Sequence, residues 1–157
     1  MSFNPIIHYY LALSAGRAHN HRSNPAASLQ IHQLYETPVL FSGLAALVLT
    51  KAEIGLLDSH FLNTLQHLQR LHDKTPRAVV LFMAGSLPGE AILHTRQLTL
   101  FSMICRLPSD PLHAHALYVL SCSPPTAKSW FQQVRDICLL YSLPHPLVLL
   151  QHPPTKL

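Results

Sequence analysis

The chain of 157 residues is 48% hydrophobic, which excludes disorder along its whole length. Only 11% of its residues are charged, against about 25% in a typical soluble domain. The net charge of +4 is compatible with a phosphate-backbone partner, although the sequence contains no block of lysine or arginine. The low charge predicts either an apolar surface that docks on another chain or domain, or a sequence that has drifted without selection.

The cysteines and the N-terminus bear on the cellular compartment. Cys105, Cys122 and Cys138 are an odd set without CxxC spacing, so neither a disulfide framework nor a cysteine zinc site is expected. Reduced thiols are typical of a cytoplasmic or nuclear protein, and the N-terminus lacks the basic region of a secretory signal. The longest apolar run, residues 39–49, is too short for a bilayer-crossing helix of about 20 residues, so no membrane partner is predicted.

The first clear helix signal is a cap followed by proline. Asn24 and Pro25 open a helix that runs to about Tyr35, where Pro38 breaks or restarts it. The apolar segment that follows, residues 39–49, is predicted to be a helix buried on every side.

A capping box opens the longest predicted helix. Thr50 stands at the cap and Glu53 follows three residues later, and the helix extends to about Leu71. Apolar residues recur at three- and four-residue steps, which predicts one buried stripe, while polar residues such as Asp58 are expected in solvent. The stripe comprises Ile54, Leu57, Phe61, Leu65 and Leu68.

Two further helices surround a glycine-rich turn. Thr75 and Pro76 repeat the cap-and-proline signal and open a short helix that ends at Gly85, a natural C-cap residue. Pro88, Gly89 and Glu90 open the next helix, which reaches about Cys105 before Pro108.

Two more helices complete the predicted core. Asp110 and Pro111 start a helix to about Leu120. A last helix, from about Thr126 to Tyr141, has the clearest amphipathic pattern in the chain.

The elements together predict an all-α fold, an irregular bundle of about six helices with disordered or frayed termini. Three parts are expected. They are a poorly ordered N-terminal segment at 1–23, a helical domain at 24–142 and a Pro-rich, truncated tail at 143–157.

Candidate catalytic groups are sparse. No two of the seven acidic residues are adjacent, so the carboxylate cluster needed for two-metal catalysis is not evident. His60 and His67 lie two helical turns apart, too far to hold one ion without other ligands. The turn at 85–90 lacks the GK[ST] ending of a phosphate loop, and Pro88 removes one donor amide. We therefore expect no enzyme activity, no cofactor and no metal site.

Four segments resemble, in order and spacing, a known protein region. They are YETPVLFSGL at 35–44, QRLHDKTPRAVV at 69–80, LPGEAILH with RQLTLFSMICRLP at 87–108, and KSWFQQVRDICLLYSLPHPL at 128–147. The set is similar to the thumb and post-thumb region of non-LTR (LINE-type) retrotransposon reverse transcriptases, which are RNA-directed DNA polymerases.

The resemblance implies a non-catalytic fragment, since the fingers and the palm with its aromatic-Ala-Asp-Asp carboxylates are not in the sequence. Thumb helices of this family grip the template–primer duplex through its backbone. The implied partners are therefore that duplex, bound weakly at most, and the missing fingers and palm domains. By resemblance, Arg70, Lys74 and Arg77 are the best candidates for phosphate contact, and Arg96 is a further candidate nucleic-acid-binding residue.

A second hypothesis belongs to another class of protein. The chain is then a helical protein–protein interaction module with no nucleic-acid role, and its exposed apolar face docks on a partner. Salt dependence separates the two hypotheses, because phosphate contacts weaken steeply with salt, whereas apolar docking is nearly indifferent to it.

Overall fold

The computed structural model of the protein describes residues 24–107, 109–124 and 128–153. Within these ranges all regular structure is helical and no strand occurs, which confirms the predicted all-α class. The predicted N-terminal segment at 1–23 lies outside the described residues.

The first helix begins where the sequence predicted. Helix α1 (Pro25–Ile31) is capped by Asn24, whose side chain accepts a hydrogen bond from the Ala26 amide at 3.1 Å. The chain then continues through a π-helical turn (His32–Glu36) directly into α2 (Thr37–Ala45).

The sequence predicted that Pro38 breaks or restarts the helix, and the structure shows no break there but a π turn followed directly by α2. In the π turn, the Thr37 amide donates to the His32 carbonyl five residues back, which widens the turn just before the proline. A proline ring crowds the carbonyl four residues earlier and has no amide to donate. The wider turn relieves that crowding, so the helix passes through the proline instead of stopping at it.

The prediction that residues 39–49 form a helix buried on every side is wrong. Helix α2 ends at Ala45, and both Val39 and Val48 are exposed. A short helix is covered by its neighbours on one side only, so this segment has more apolar residues than buried positions. The buried side chains of the segment are Leu40, Phe41, Leu44, Ala45 and Leu49.

The capping box of the long helix is confirmed. In helix α3 (Lys51–Leu68), the Thr50 amide donates to the Glu53 carboxylate at 2.7 Å, and the Glu53 amide donates to Thr50 Oγ1 at 3.3 Å. The helix ends before Leu71, because Arg70 adopts a left-handed φ of 55°. The fully buried members of the predicted stripe are Leu57, Phe61 and Leu65.

Asp58 is buried, although the sequence placed it in solvent. One oxygen forms an ion pair with Arg77, and the other accepts the Glu90 amide at 3.4 Å. Both partners are remote in sequence, so helical periodicity alone could not show that this carboxylate is covered.

The next two helices agree closely with prediction. Helix α4 (Arg77–Ala84) has Pro76 rather than Thr75 as its N-cap, and it ends at Gly85, which has the expected left-handed φ of 59°. Helix α5 (Gly89–Cys105) has the predicted bounds.

The last long helices also form. Helix α6 (Pro111–Cys122) follows Asp110, whose carboxylate accepts the Leu112 amide at 2.7 Å. Helix α7 (Trp130–Leu140) starts later than predicted, because Ser129 is its N-cap.

The Pro-rich tail contains a helix that the sequence did not predict. Helix α8 (Pro146–Gln151) is short, but its Leu150 is buried in one apolar cluster with Phe101 of α5 and Val134 of α7. Burying Pro146 and Leu150 removes their apolar surface from water, which stabilises a helix too short to persist alone.

The described residues form two compact units. The N-terminal unit comprises 24–44 and 49–93, and the C-terminal unit comprises 45–48 and 94–153. Residues 24–142, expected as one helical domain, thus contribute to both. In the N-terminal unit, Phe41 and Phe61 pack edge to face with ring centroids 5.5 Å apart. The core of the C-terminal unit includes Phe101, Ile104, Ala116, Phe131, Val134, Cys138 and Leu150.

Candidate nucleic-acid interface

Three of the predicted nucleic-acid-binding residues lie where α3 gives way to α4, in a segment we call the basic turn (residues 69–77). Arg70 comes just after the end of α3, Lys74 lies within the turn, and Arg77 is the first residue of α4. All three side chains are exposed. The structure therefore brings these cations together on one short segment of the N-terminal unit.

Hydrogen bonds give the basic turn a defined shape. The Leu71 amide donates to the Gln66 carbonyl at 3.0 Å, and Gln66 Nε2 donates to the His72 carbonyl at 2.6 Å. The same His72 carbonyl accepts the Thr75 amide at 2.8 Å, while His72 Nδ1 accepts the Lys74 amide at 3.1 Å. Lys74 is thus presented from an ordered backbone rather than from a loose loop.

A groove lies beside the basic turn. Gln66 and His67 lie three and four residues after Asn63, and Arg70 lies four and three residues after them, which places the four along one face at the end of α3. The backbone at Arg70 is left-handed, and Leu71 and Asp73 beyond it line the same groove. The groove has a volume of about 660 Å³ and is lined by Asn63, Gln66, His67, Arg70, Leu71 and Asp73.

Arg77 is engaged by the fold. Its guanidinium pairs with Asp58, whose side chain is 10% exposed, while Arg77 itself remains 50% exposed. The neighbouring carboxylate offsets much of the positive charge, so Arg77 attracts phosphate less strongly than its position alone suggests. Arg70 and Lys74 are the other two cationic residues of the basic turn.

The start of α4 adds a weaker positive field. Pro76 provides no side-chain cap, and the first amides of a helix have no intrahelical acceptor. The amides of Arg77 and Ala78 therefore stand at the positive end of the helix dipole, close in sequence to Lys74. This arrangement favours an anionic partner.

Arg96 does not lie on the basic turn. It is an exposed residue of α5, in the part of that helix that belongs to the C-terminal unit. The four predicted residues are therefore divided between two units. Arg70, Lys74 and Arg77 lie together on the basic turn of the N-terminal unit, and Arg96 lies in the C-terminal unit.

Sequence reasoning missed several buried polar groups. His32 is 3% exposed, and its Nδ1 donates to the Glu36 carboxylate at 2.8 Å. In the C-terminal unit, His94 Nδ1 and the Tyr141 hydroxyl share a hydrogen bond of 3.1 Å, and buried Gln97 donates to the Leu47 carbonyl at 3.5 Å. The four-residue step from His32 to Glu36 was the one sequence signal that could have indicated a pair.

Burial also shifts three titratable groups. The pKa of His60 is lowered, first by burial and then by the charge of His32. Burial raises the pKa of the Cys105 thiol to about 11 and also raises the pKa of Cys138. Since the thiolate is the nucleophilic form, these two cysteines are poor nucleophiles at neutral pH.

The metal-ligating side chains of the described residues are dispersed. In the described ranges, no group of three His, Cys, Asp or Glu side chains is placed to hold a metal ion. No single described helix is long and apolar enough to cross a bilayer. Helices α4 and α5 together have the length and the apolar composition of one bent span, with an angle of 55° between them.

No family model, curated protein or solved structure matches the chain. The resemblance carried by the four motifs therefore stays a prediction.

Proposed function

We propose that the chain is a non-catalytic, thumb-like fragment of a non-LTR retrotransposon reverse transcriptase that binds a template–primer duplex weakly through its basic turn. The observation that carries the proposal is the presentation of Arg70 and Lys74 on one hydrogen-bonded turn beside the start of α4. Cations held at a fixed spacing on an ordered backbone are suited to phosphate contact.

Weak binding follows from the number of cations. Arg70 and Lys74 can neutralise about two phosphates, and each neutralised phosphate releases condensed counterions. Two such contacts predict that affinity falls about tenfold between 50 and 200 mM salt, a shallow dependence for a nucleic-acid-binding protein.

The acidic side chains support a non-catalytic role. Within the described part of the chain, Asp58 pairs with Arg77, Glu53 closes the capping box, and Glu36 accepts from His32. Each of these carboxylates is used by the local fold, whereas metal-assisted phosphoryl transfer needs carboxylates that converge on a shared ion.

The test is fluorescence anisotropy with a labelled RNA–DNA hybrid at low and moderate salt. The test variant combines Arg70→Asn, which suits the left-handed backbone at that position, with Lys74→Gln. The control is Lys51→Gln, which removes one positive charge about 26 Å away at the other end of α3.

We expect the wild type to bind with the salt dependence given above, the double variant to lose most of the affinity, and the control to bind like the wild type. Affinity that is independent of salt, or equal in the wild type and the double variant, would overturn the proposal.

An exposed apolar surface favours a second candidate function, a protein–protein interaction module without a nucleic-acid role. Phe82 of α4 is 86% exposed, and Met83 beside it is also exposed. Gln33 Nε2 donates to the Ala84 carbonyl at 2.5 Å, which links α4 to the π turn, where Tyr35 is exposed.

This candidate predicts that the hybrid does not bind at any salt concentration. It also predicts that the N-terminal unit binds an environment-sensitive apolar dye, and that Phe82→Ser lowers the dye signal at high and low salt alike. Dye binding that is unaffected by Phe82→Ser would contradict it.

A further inference from the structure

We propose that the chain forms a dimer in which two copies exchange helix α8. Each copy then keeps the same buried contacts, because the helix that enters is identical to the one that leaves. Helix α8 and its surroundings belong to the C-terminal unit, whereas the basic turn belongs to the N-terminal unit. The inference is therefore independent of nucleic-acid binding.

Helix α8 docks as a small element. Its buried residues are Pro146 and Leu150, and Leu150 lies in one apolar cluster with Phe101 and Val134. The Leu150 carbonyl accepts a hydrogen bond of 3.4 Å from His113 Nε2. A helix of six residues has little stability of its own, so it can leave the cluster while the longer helices of the unit stay folded. The uncovered cluster then fits the α8 of a second copy as well as it fits its own.

The hinge that precedes α8 (residues 141–145) contains a strained residue. Ser142 has a left-handed φ of 53°, a conformation that a residue with a Cβ disfavours. The Leu143 amide donates to the Cys138 carbonyl at 2.8 Å, and this closure of a helix end requires a left-handed residue between the two. Opening the hinge releases Ser142, so the strain is present in the closed monomer and absent from the exchanged dimer. Strain in a short hinge favours domain exchange.

Two prolines favour an open hinge. Pro144 and Pro146 restrict the residues before them, Leu143 and His145, to extended backbone. His145 has such a backbone in the structure, with φ of −58° and ψ of 139°. Because these residues are already restricted, the hinge loses little conformational entropy when it extends toward a second copy.

The surface around the hinge is apolar and exposed. Leu139 and Leu140, at the end of α7, are 66% and 63% exposed, and Tyr141 and Leu143 are also exposed. Residues 137–153 contain no Asp, Glu, Lys or Arg, so two copies that meet here bring no like charges of these types together. In an exchanged dimer the two hinges lie side by side about a two-fold axis, which removes these apolar side chains from water. This burial stabilises the dimer relative to the monomer.

The test is the mass of the full chain, measured by size-exclusion chromatography with light scattering over a range of concentrations. We expect monomer and dimer in a ratio that shifts toward dimer as the concentration rises. The isolated dimer is then diluted and its mass is followed with time. Because α8 must undock before the copies separate, the return to monomer is expected to be slow, and low concentrations of urea are expected to accelerate it.

The hinge variant is Ser142→Gly, and its matched control is Arg70→Gly. Arg70 has nearly the same left-handed φ, 55°, just after the end of α3. Glycine relieves the backbone strain at both positions. We expect Ser142→Gly to weaken dimerisation by about tenfold or more, since each dimer contains two hinges, and Arg70→Gly to leave the ratio of dimer to monomer unchanged.

A second pair of variants tests the apolar surface. Leu139→Ser removes an exposed side chain beside the hinge, and the control Phe82→Ser removes an exposed side chain from α4 of the N-terminal unit. Both residues are exposed, so neither variant is expected to impair folding. We expect Leu139→Ser to weaken the dimer and Phe82→Ser to leave it unchanged.

Several outcomes would overturn the proposal. They are a chain that stays monomeric at every concentration, a dimer that separates at once on dilution, and a dimer that Ser142→Gly leaves as strong as before. A dimer weakened by Phe82→Ser and not by Leu139→Ser would place the interface on α4, and would overturn the exchange of α8 as well.

Discussion

Asp58 of α3 and Arg77 of α4 form an ion pair in which the carboxylate is nearly withdrawn from solvent. The Asp58 side chain is 10% exposed, and its second oxygen accepts the amide of Glu90 at the start of α5. One carboxylate thus connects three helices within the N-terminal unit. The predicted phosphate ligand Arg77 therefore has a structural role as well.

We predict that Arg77→Met lowers the free energy of unfolding by about 1–3 kcal/mol, because it leaves the covered Asp58 carboxylate without its charged partner. Urea denaturation measures the change, and a double-mutant cycle with Asp58→Asn should show that the two effects are not additive. The exposed residue Lys128 provides the control, since Lys128→Met should change stability by less than about 0.5 kcal/mol. Equal effects of the two Met variants would show that the pair does not contribute.

Two helical glycines form a matched test of packing against helix propensity. A Cβ at Gly89 would lie 3.2 Å from the Asp58 carboxylate and 3.4 Å from the rings of Phe41 and Phe61. Because Arg77 restrains that carboxylate, we expect Gly89→Ala to destabilise the protein by about 1 kcal/mol.

Gly55 lies on an exposed face of α3, where an added Cβ would meet no described residue within 4 Å beyond its chain neighbours and the backbone of its own helix. Gly55→Ala should therefore stabilise by about 0.5–1 kcal/mol through helix propensity alone. Urea midpoints of both variants measure the difference, and a stabilising Gly89→Ala would contradict the packing described around Asp58.

The starts of α1 and α3 were predictable because they depend on neighbours in the sequence. The Thr50–Glu53 box and the Asn24 cap each involve residues within a few positions, so the local pattern contains the whole interaction. Burial of Asp58 and the helix at 146–151 were not predictable, since both depend on packing partners far along the chain.

In the candidate site, too, some features could be predicted from the sequence and others could not. Arg70 and Lys74 were predicted from charge and resemblance, and the structure places both on the basic turn. The groove was not predicted, because Leu71 and Asp73 join the residues of α3 in lining it only after the left-handed backbone at Arg70. Arginine is not a residue type that signals this conformation, so no sequence pattern indicated it.

The three cysteines should differ sharply in reactivity. Cys122 is exposed, whereas Cys105 and Cys138 are buried and have raised pKa values. We predict that a thiol reagent at about pH 8 modifies Cys122 rapidly in the native protein and modifies Cys105 and Cys138 only after unfolding in denaturant. The Cys122→Ser variant serves as the control and should show no rapid reaction. Rapid modification of all three thiols would contradict the packing of α5 against α7.

His60 makes the stability of the N-terminal unit dependent on pH. Burial, and then the charge of His32, lower the pKa of His60 below its ordinary value of 6.5. The unfolded chain therefore takes up a proton near pH 6.5, whereas the folded chain does so only at lower pH. The stability contributed by neutral His60 is complete above pH 6.5 and is lost as the pH falls toward the folded pKa. We predict that the free energy of unfolding falls less between about pH 8 and pH 5 in His60→Gln than in the wild type. Urea denaturation at each pH measures it. The difference in free energy of unfolding between variant and wild type at about pH 8 is the baseline, because His60 is neutral there and the difference reports only a packing defect of the variant. A loss that is equally large in the variant and the wild type would show that other groups cause the acid sensitivity.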